Sequence, residues 1–159
     1  MGKSKKSEKP PVFAAVVSAF NTGVTHGLLR GAKAYLAEQG CPLDEAHVFS
    51  APGAFELPLI AEKLAKTKRF DGIITLGCVI KGETAHFEYI SLAATHGTMM
   101  ATLNSGVPVA FGVITTYTAE QAERRAKDDD FNKGRESAAA CLASVKALRV
   151  VSALGKKKK

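Results

Sequence analysis

The segment at residues 77–87, GCVIKGETAHF, combines residues that could bind an anion with one that could carry a proton. Gly77 and Gly82 bracket a predicted turn after an apolar run, and Thr84 begins a helical pattern with His86 in its first turn. A turn that leads from a strand into a helix presents free backbone N–H groups, which attract phosphate. A histidine beside them can transfer a proton near neutral pH. The segment therefore predicts a site for a phosphorylated substrate. The alternative is an ordinary α/β turn followed by a surface histidine.

Strands and helices alternate along the chain in a way that would bring this segment to the edge of a sheet. Apolar runs predict strands at residues 12–18, 47–50, 71–77 and 107–115. Helical spacing predicts helices at residues 25–39, 55–67, 84–104, 118–126 and 132–153. This alternation predicts a flavodoxin-like α/β/α sandwich, with a four-stranded parallel sheet, right-handed crossovers and helices on both faces.

The loops after the predicted strands are where such a sheet binds ligands, because the carboxyl ends of parallel strands share one edge. The first loop carries Phe20 and Asn21, an aromatic ring beside an amide. The second is a tight turn that leads to a carboxylate, through Gly53, Ala54, Phe55 and Glu56. Taken singly, Phe20 could be an aromatic at the edge of the core, and Glu56 a charge that favours a helix N-terminus. Their convergence on one rim favours a binding site.

Length and composition predict one cytoplasmic domain at residues 12–154. The chain has 159 residues and is 46% hydrophobic, enough for a single core. We find no continuous apolar run that could span a membrane and no secretory signal, so we expect no membrane partner. The cysteines, Cys41, Cys78 and Cys141, have neither metal-ligand spacing nor an even number for disulfides, which favours a reducing compartment.

The basic charge is confined to the two ends of the sequence. Residues 1–10 contain four Lys and one Glu, and residues 156–159 are four Lys, which together account for the net charge of +7. We therefore expect a disordered basic arm at residues 1–11 and a disordered Lys tail at 155–159. Such tails could bind nucleic acid, but they contain no aromatic residue for base stacking, so a solvated tail is the favoured interpretation.

Several motifs in order and at matched spacing resemble the lumazine synthase family of riboflavin biosynthesis over roughly residues 12–150. They are Phe20-Asn21, residues 52–56, residues 77–86, residues 106–109 with 111–113, and residues 132–134 with Glu136. The resemblance implies condensation of 5-amino-6-(D-ribitylamino)uracil with 3,4-dihydroxy-2-butanone 4-phosphate. The products are 6,7-dimethyl-8-ribityllumazine, phosphate and water, and no metal or organic cofactor is required.

The resemblance also implies roles for the residues of these motifs. His86 would shuttle protons, Phe20 would stack on the pyrimidine ring, and Glu56 would accept hydrogen bonds from the ribityl hydroxyls. The phosphate would lie at the turn before His86. The full set of implied substrate contacts within one chain is Phe20, Asn21, Gly53, Ala54, Phe55, Glu56, Val79, Ile80, Lys81, Gly82, Glu83 and Thr84.

A second copy of the chain is expected to complete each site, since the family builds its sites between adjacent subunits. Phe111 would cover the other face of the heterocycle, Arg125 would clamp the phosphate, and Lys133 would approach the pyrimidine. Arg124 lies next to Arg125, so a solvated helix charge is the alternative for that position. The implied partner is therefore a homo-oligomer, and a pentamer is favoured.

Residues 126–131, AKDDDF, depart from the glycine-containing turn associated with sixty-subunit capsids in this family. Three adjacent acids should resist a tight turn, and the proline-containing, Lys-rich arm is poorly suited to add a strand to a neighbour's sheet. Both features favour a pentamer, or a dimer of pentamers, over a capsid. The aspartates could alternatively bind Mg²⁺, although a solvated loop is the favoured interpretation.

Other functions remain compatible with the same fold. A non-catalytic flavin- or lumazine-binding protein would not need both His86 and Arg125, so the enzyme is favoured. A riboflavin synthase of the archaeal type is a weaker enzymatic alternative. A nucleic-acid-binding protein would depend on the basic tails.

Overall fold

A four-stranded parallel sheet forms the centre of the domain. The structure is a computed structural model, and it describes residues 9–155. The strands are β1 (Phe13–Ser18), β2 (Val48–Ala51), β3 (Gly72–Ile80) and β4 (Val109–Thr116). They pair in the order β2-β1-β3-β4, and every pair is parallel, which confirms the predicted parallel sheet. The predicted disorder of the basic ends falls largely on residues 1–8 and 156–159, which lie outside the described residues.

Helices cover both faces of this sheet, which confirms the predicted α/β architecture. The helices are α1 (Thr22–Glu38), α2 (Leu57–Lys66), α3 (His86–Ser105), α4 (Ala119–Arg125) and α5 (Lys133–Gly155), with a short 3₁₀ turn at Glu45–His47. Buried side chains form two clusters, one under α1, α4 and α5 and the other under α2 and α3. Because both faces are covered, the inner strands are continuously apolar rather than alternating.

Strand β1, in the centre of the sheet, contributes side chains to both clusters. Phe13, Ala15 and Val17 of β1 pack toward α1 and α5, whereas Ala14 and Val16 pack toward α2 and α3. All five side chains are buried, since successive residues of a strand point to opposite faces. The register of β1 also fixes its end at Ser18, so that the first predicted binding loop begins at the carboxyl edge.

A close crossing of α1 and α5 depends on the motif at residues 132–134. Asn132 is fully buried, and its Nδ2 donates to the carbonyl oxygen of Gly27 at 3.0 Å. Its Oδ1 accepts the Gly134 N–H at 2.9 Å, so the same side chain begins α5. A Cβ on Gly134 would lie 1.8 Å from the Leu28 carbonyl oxygen. The asparagine and the glycine therefore have structural roles in this motif.

The predicted end of β3 at Gly77 is wrong. The strand continues to Ile80 because residues 77–80 keep their register with β4, where Gly77 pairs with Val113 and Ile80 with Thr116. Gly77 consequently lies inside the strand and makes no turn. A Cβ there would lie 2.9 Å from Leu57 Cδ1, so the glycine is needed for α2 to pack closely on the sheet.

Among the described residues, α5 has the length and mean hydropathy to cross a membrane. Polar residues interrupt its apolar sequence, so the helix contains no continuous apolar run of that length. Ala138, Cys141, Leu142 and Val145 of this helix are buried in the core of the domain, where α5 packs on α1 and the sheet. This packing covers only part of the helix, since 22% of its most apolar window is buried and Val150, Val151 and Leu154 are exposed.

Candidate active site

A cleft of about 620 Å³ lies at the carboxyl edge of the sheet, on the side of α2 and α3. Loops after β1, β2 and β3 and the first turns of α3 form its walls, which is the location expected for a ligand site in this architecture. Most of the residues predicted to bind substrate within one chain line it. Those residues are Phe20, Asn21, Gly53, Ala54, Phe55, Glu56, Val79, Ile80, Gly82, Thr84 and His86.

The first wall is held by Asn21, which has left-handed backbone angles (φ 58°, ψ 49°). Asparagine tolerates this conformation better than most residues, and its backbone oxygen accepts the N–H groups of Val24 and Thr25 at the start of α1. Its side-chain Nδ2 donates to the Cys78 carbonyl oxygen at 3.0 Å. This bond joins the loop after β1 to the end of β3, so Phe20 is presented beside residues 78–80.

The second wall is the turn between β2 and α2. Glu56 immediately precedes α2 and is half-buried, and Pro58 lies in the first turn of the helix, where a missing N–H does no harm. The carboxylate lies over Gly53, since a Cβ on Gly53 would be 3.1 Å from Glu56 Oε2. Gly53 therefore leaves room for the carboxylate that faces the cleft.

The third wall is the turn at residues 81–85, between β3 and α3. Among the described residues, none accepts a hydrogen bond from the backbone N–H groups of Gly82, Glu83, Thr84 or Ala85. His86 is the first residue of α3, and its N–H donates to Thr84 Oγ1 at 3.4 Å. Free N–H groups at the start of a 20-residue helix suit an anion. The imidazole of His86 is exposed beside them.

Two aromatic rings at the mouth of the cleft are largely exposed. Phe20 is 67% exposed and Phe55 is 58% exposed. Exposed aromatic side chains at a cleft are suited to stack on a flat heterocycle, because stacking places the two apolar faces in contact. The mouth thus combines flat apolar surfaces with the anion-binding turn and a carboxylate.

Five predicted contacts do not line this cleft. Phe111 lies in β4, opposite Thr75 of β3, and five residues before the end of its strand. It is therefore about 16 Å from the carboxyl edge of its own sheet. The other four residues are also absent from the lining: Lys81 and Glu83, which belong to the turn at residues 81–85, Arg125 at the end of α4 and Lys133 at the start of α5.

The polar groups of these residues have other partners in the chain. Arg125 ends α4 and donates from Nη1 to the Gln121 carbonyl oxygen at 2.9 Å. Lys133 forms an ion pair with Glu136. Phe111 and Glu136 share a groove between α3 and α5. A single chain thus separates Phe111, Arg125 and Lys133 from His86.

Cys78, Phe87 and Ile90 also line the cleft, and sequence reasoning assigned no substrate contact to them, although Cys78 and Phe87 belong to the segment at residues 77–87. Phe87 and Ile90 follow His86 by one and four residues on α3, so helical periodicity could have found Ile90. Burial raises the pKa of the Cys78 thiol to about 11, which leaves it protonated at neutral pH and a poor nucleophile.

The acidic loop after α4 is paired with arginines. Arg30 Nε lies 3.1 Å from Asp128 Oδ1, and Arg135 Nε lies 3.8 Å from Asp130 Oδ1. Arg135 also forms a two-bond contact with Glu38, which lowers the pKa of that carboxyl group through its hydrogen bonds. Within residues 9–155 there is no group of three or more His, Cys, Asp or Glu side chains placed to hold a metal ion.

The fold and the cleft define an α/β protein with a site suited to a small anionic ligand at the carboxyl edge of a parallel sheet, next to a histidine. The sequence model of the 6,7-dimethyl-8-ribityllumazine synthase family matches residues 11–149. The chain therefore belongs to this family, as the sequence motifs predict.

Individual relatives agree with this assignment. The chain is 59% identical over 140 residues to 6,7-dimethyl-8-ribityllumazine synthase 1 of Caulobacter vibrioides, which covers 88% of this chain and 92% of that protein. It is 46% identical to the 6,7-dimethyl-8-ribityllumazine synthase of Nitratidesulfovibrio vulgaris, over 86% of this chain and 87% of that protein. The synthase of Salinibacter ruber is 48% identical, over 82% of this chain and 83% of that protein.

Proposed function

We propose that this chain condenses 5-amino-6-(D-ribitylamino)uracil with 3,4-dihydroxy-2-butanone 4-phosphate to form 6,7-dimethyl-8-ribityllumazine, with release of phosphate and water. The observation that carries this proposal is the free N–H groups at residues 82–85 beside His86, on the same rim as Glu56 and Phe20. An anion site, a proton carrier, a hydrogen-bond acceptor and a stacking ring are the groups that these two substrates require. Membership of the synthase family supports the same reaction.

Different residues of the cleft bind the two substrates. Phe20 stacks on the pyrimidine, and Glu56 accepts hydrogen bonds from ribityl hydroxyls. The turn before α3 binds the phosphate through its N–H groups and the positive end of the helix. The amine of one substrate then lies beside the ketone of the other. This placement removes much of the entropic barrier to their condensation.

His86 moves protons during the reaction. Imine formation requires a proton on the oxygen that leaves as water, and phosphate elimination requires removal of a proton from carbon. An imidazole at the first position of α3, exposed to the cleft, can serve both steps in turn. No described cysteine competes for this role, because burial raises the pKa of all three thiols.

The complete site is proposed to form between adjacent copies of the chain in a pentamer. Support comes from the position of Phe111, Arg125 and Lys133, which the family resemblance assigns to the substrates and which lie away from the cleft of their own chain. The outer face of α3 offers a surface for such a contact, since Leu92 and Leu103 are exposed there. The cytoplasm remains the predicted compartment, because three free thiols suit a reducing environment.

The first experiment is a direct assay with both purified substrates, in which the absorbance of the lumazine product is monitored over time. We expect product to form faster than in a control without enzyme, and only when both substrates are present. A matched reaction with the ketone lacking its phosphate separates specific catalysis from general amine chemistry. Tight binding of lumazine or flavin without any acceleration would contradict the enzyme and support the alternative, a non-catalytic binding protein.

Sedimentation of the same preparation tests the assembly. A pentamer sediments as about 84 kDa, five times the 16.8 kDa chain. A monomer that is fully active on both substrates would contradict the shared site.

A further inference from the structure

The first turn of α3 is held from outside the cleft by Tyr117 and Lys81. Tyr117 directly follows β4, and its ring lies 6.2 Å from the ring of Phe87, measured between centroids. Lys81 Nζ lies 5.6 Å from the centroid of the same tyrosine ring and 3.3 Å from Glu88 Oε1. Phe87 and Glu88 are the two residues after His86. Phe87 therefore contacts Tyr117, and Glu88 forms an ion pair with Lys81, and both partners lie outside α3.

The backbones of Lys81 and Tyr117 are each fixed by a hydrogen bond. The N–H of Lys81 donates to the Thr116 carbonyl oxygen at 2.9 Å, which continues the pairing of β3 with β4 beyond the last strand residue. The N–H of Tyr117 donates to Gln121 Oε1 at 3.0 Å, in the first turn of α4. The sheet and α4 thus supply a fixed platform, while the turn at residues 82–85 makes few bonds of its own.

These contacts are poorly suited to stabilise the fold as a whole. Tyr117 is 68% exposed, and the side chains of Lys81 and Glu88 are about half exposed. Exposed ion pairs contribute little to global stability. A lysine ammonium over an aromatic ring does have a preferred position, so the contacts can fix local geometry. Because the contacts are made to the two residues after His86, the local geometry that they fix is that of the first turn of α3.

We propose that Tyr117 and Lys81 are positioning residues, which hold the first turn of α3 and thereby place His86. The inference rests on the proposed function for its kinetic consequence. It assigns Lys81 a role different from the substrate contact implied by the family resemblance, since its ammonium group lies on Glu88 and Tyr117 and outside the cleft lining. Tyr117 was not identified by sequence reasoning.

Tyr117→Ala is the central variant, and Tyr117→Phe, which keeps the ring, is its matched control. We expect Tyr117→Ala to lower kcat by about ten-fold, because a small displacement of a catalytic group is enough to lose rate. The KM for the phosphate substrate should stay within about two-fold, since the N–H groups that bind phosphate are retained. Tyr117→Phe should restore kcat.

Hydrogen exchange of residues 82–90, followed by mass spectrometry, gives a readout that does not depend on activity. Faster exchange there in Tyr117→Ala, with the rest of the domain unchanged and normal exchange in Tyr117→Phe, is the expected result. If the wild-type protein lacked synthase activity, the proposed function would fail, and the exchange result would still test whether Tyr117 holds the first turn of α3. Unchanged exchange, or faster exchange with an unchanged kcat, would overturn the positioning role.

Lys81→Met and Lys81→Arg complete the test. If Lys81 is a positioning residue, Lys81→Met lowers kcat as Tyr117→Ala does, and Lys81→Arg retains the wild-type kcat. The double variant, Lys81→Met with Tyr117→Ala, should then have a kcat no lower than that of either single variant. A direct contact with substrate predicts a different pattern, in which Lys81→Met raises the KM for the phosphate substrate and Tyr117→Ala has no effect. That pattern would overturn the inference.

Discussion

The Nδ2 atom of Asn21 donates a hydrogen bond to the carbonyl oxygen of Cys78 at 3.0 Å, across 57 residues of sequence. It ties the loop after the first strand to the end of the third, and the two segments form adjoining walls of the cleft. This amide group therefore adds to the pairing of β1 with β3 in fixing the relative position of Phe20 and residues 78–80. Asn21 also accepts the first helical N–H groups of α1 through its backbone oxygen.

Replacement of Asn21 separates its two roles. Asn21→Gly keeps the left-handed backbone and loses the amide, so we expect a loss of about 1 kcal/mol in the free energy of unfolding. Asn21→Ala loses the amide and also strains the backbone, which raises the expected loss to about 2–3 kcal/mol. Urea denaturation of both variants measures these values. Equal stability of the two would show that the backbone conformation carries no cost.

Gly77→Ala should destabilise the domain by about 1–3 kcal/mol, because the added Cβ would lie 2.9 Å from Leu57 Cδ1 in a packed interior. The matched control is Gly23→Ala in α1, where no atom lies within 4 Å of an added Cβ. That control should be neutral or slightly stabilising. Thermal unfolding of the pair tests the packing role of Gly77, which a Gly77→Ala variant as stable as the control would refute.

His86→Ala should lower kcat by about 10²-fold and leave a measurable rate. The residual rate is expected because placement of the two substrates provides much of the catalysis. Steady-state kinetics with both substrates checks this, and circular dichroism verifies the fold. His96→Ala is a control on the same helix, at an exposed position away from the cleft lining. A complete loss of activity in folded His86→Ala would contradict the predominance of positioning.

Arg125→Ala should raise the KM for the phosphate substrate by about ten-fold or more, since a charge-assisted contact to phosphate is lost. The exposed Arg124 is an ideal control, because Arg124→Ala removes the same charge from the adjacent position of α4. Initial rates at varied concentrations of each substrate distinguish the two arginines. Equal effects of the two variants would reduce the role of Arg125 to general electrostatic attraction.

The buried thiols should make the protein less stable at alkaline pH. Burial raises the pKa of Cys78 to about 11 and that of Cys141 to about 12, from an ordinary value of 9.0. The folded state therefore favours the neutral thiol. This contribution is fully present below pH 9 and is lost as the pH rises through 11 and 12.

The midpoints of urea denaturation, measured between pH 8 and 11, test whether the stability of the protein falls as the pH rises. Cys78→Ala should flatten the alkaline decline, whatever its effect on stability at pH 8. Maleimide labelling at pH 8 gives a second check, in which Cys78 and Cys141 react slowly in the folded protein and rapidly in urea. Rapid labelling of the folded protein would contradict the raised pKa values.

The sequence by itself determined the fold class, the family and the three loops that form the cleft. Alternating apolar runs and amphipathic segments can pack as a parallel sheet between helices, and the ends of such strands meet at one edge. Local chemistry then identified Phe20, Glu56 and His86, because each stands directly after a predicted strand or at the start of a predicted helix. These features depend on neighbours in sequence.

Only the tertiary structure decided the roles of residues whose partners are distant in sequence. Gly77 was predicted to bound a turn, and its pairing with Val113 of β4 places it inside β3. Asn132 contacts Gly27, 105 residues away, and Tyr117 contacts Phe87. No local pattern specifies such contacts, because they arise from the register of the strands and the crossing of the helices. The same long-range geometry removes Lys81 from the lining of the cleft and places it beside the helix that carries His86.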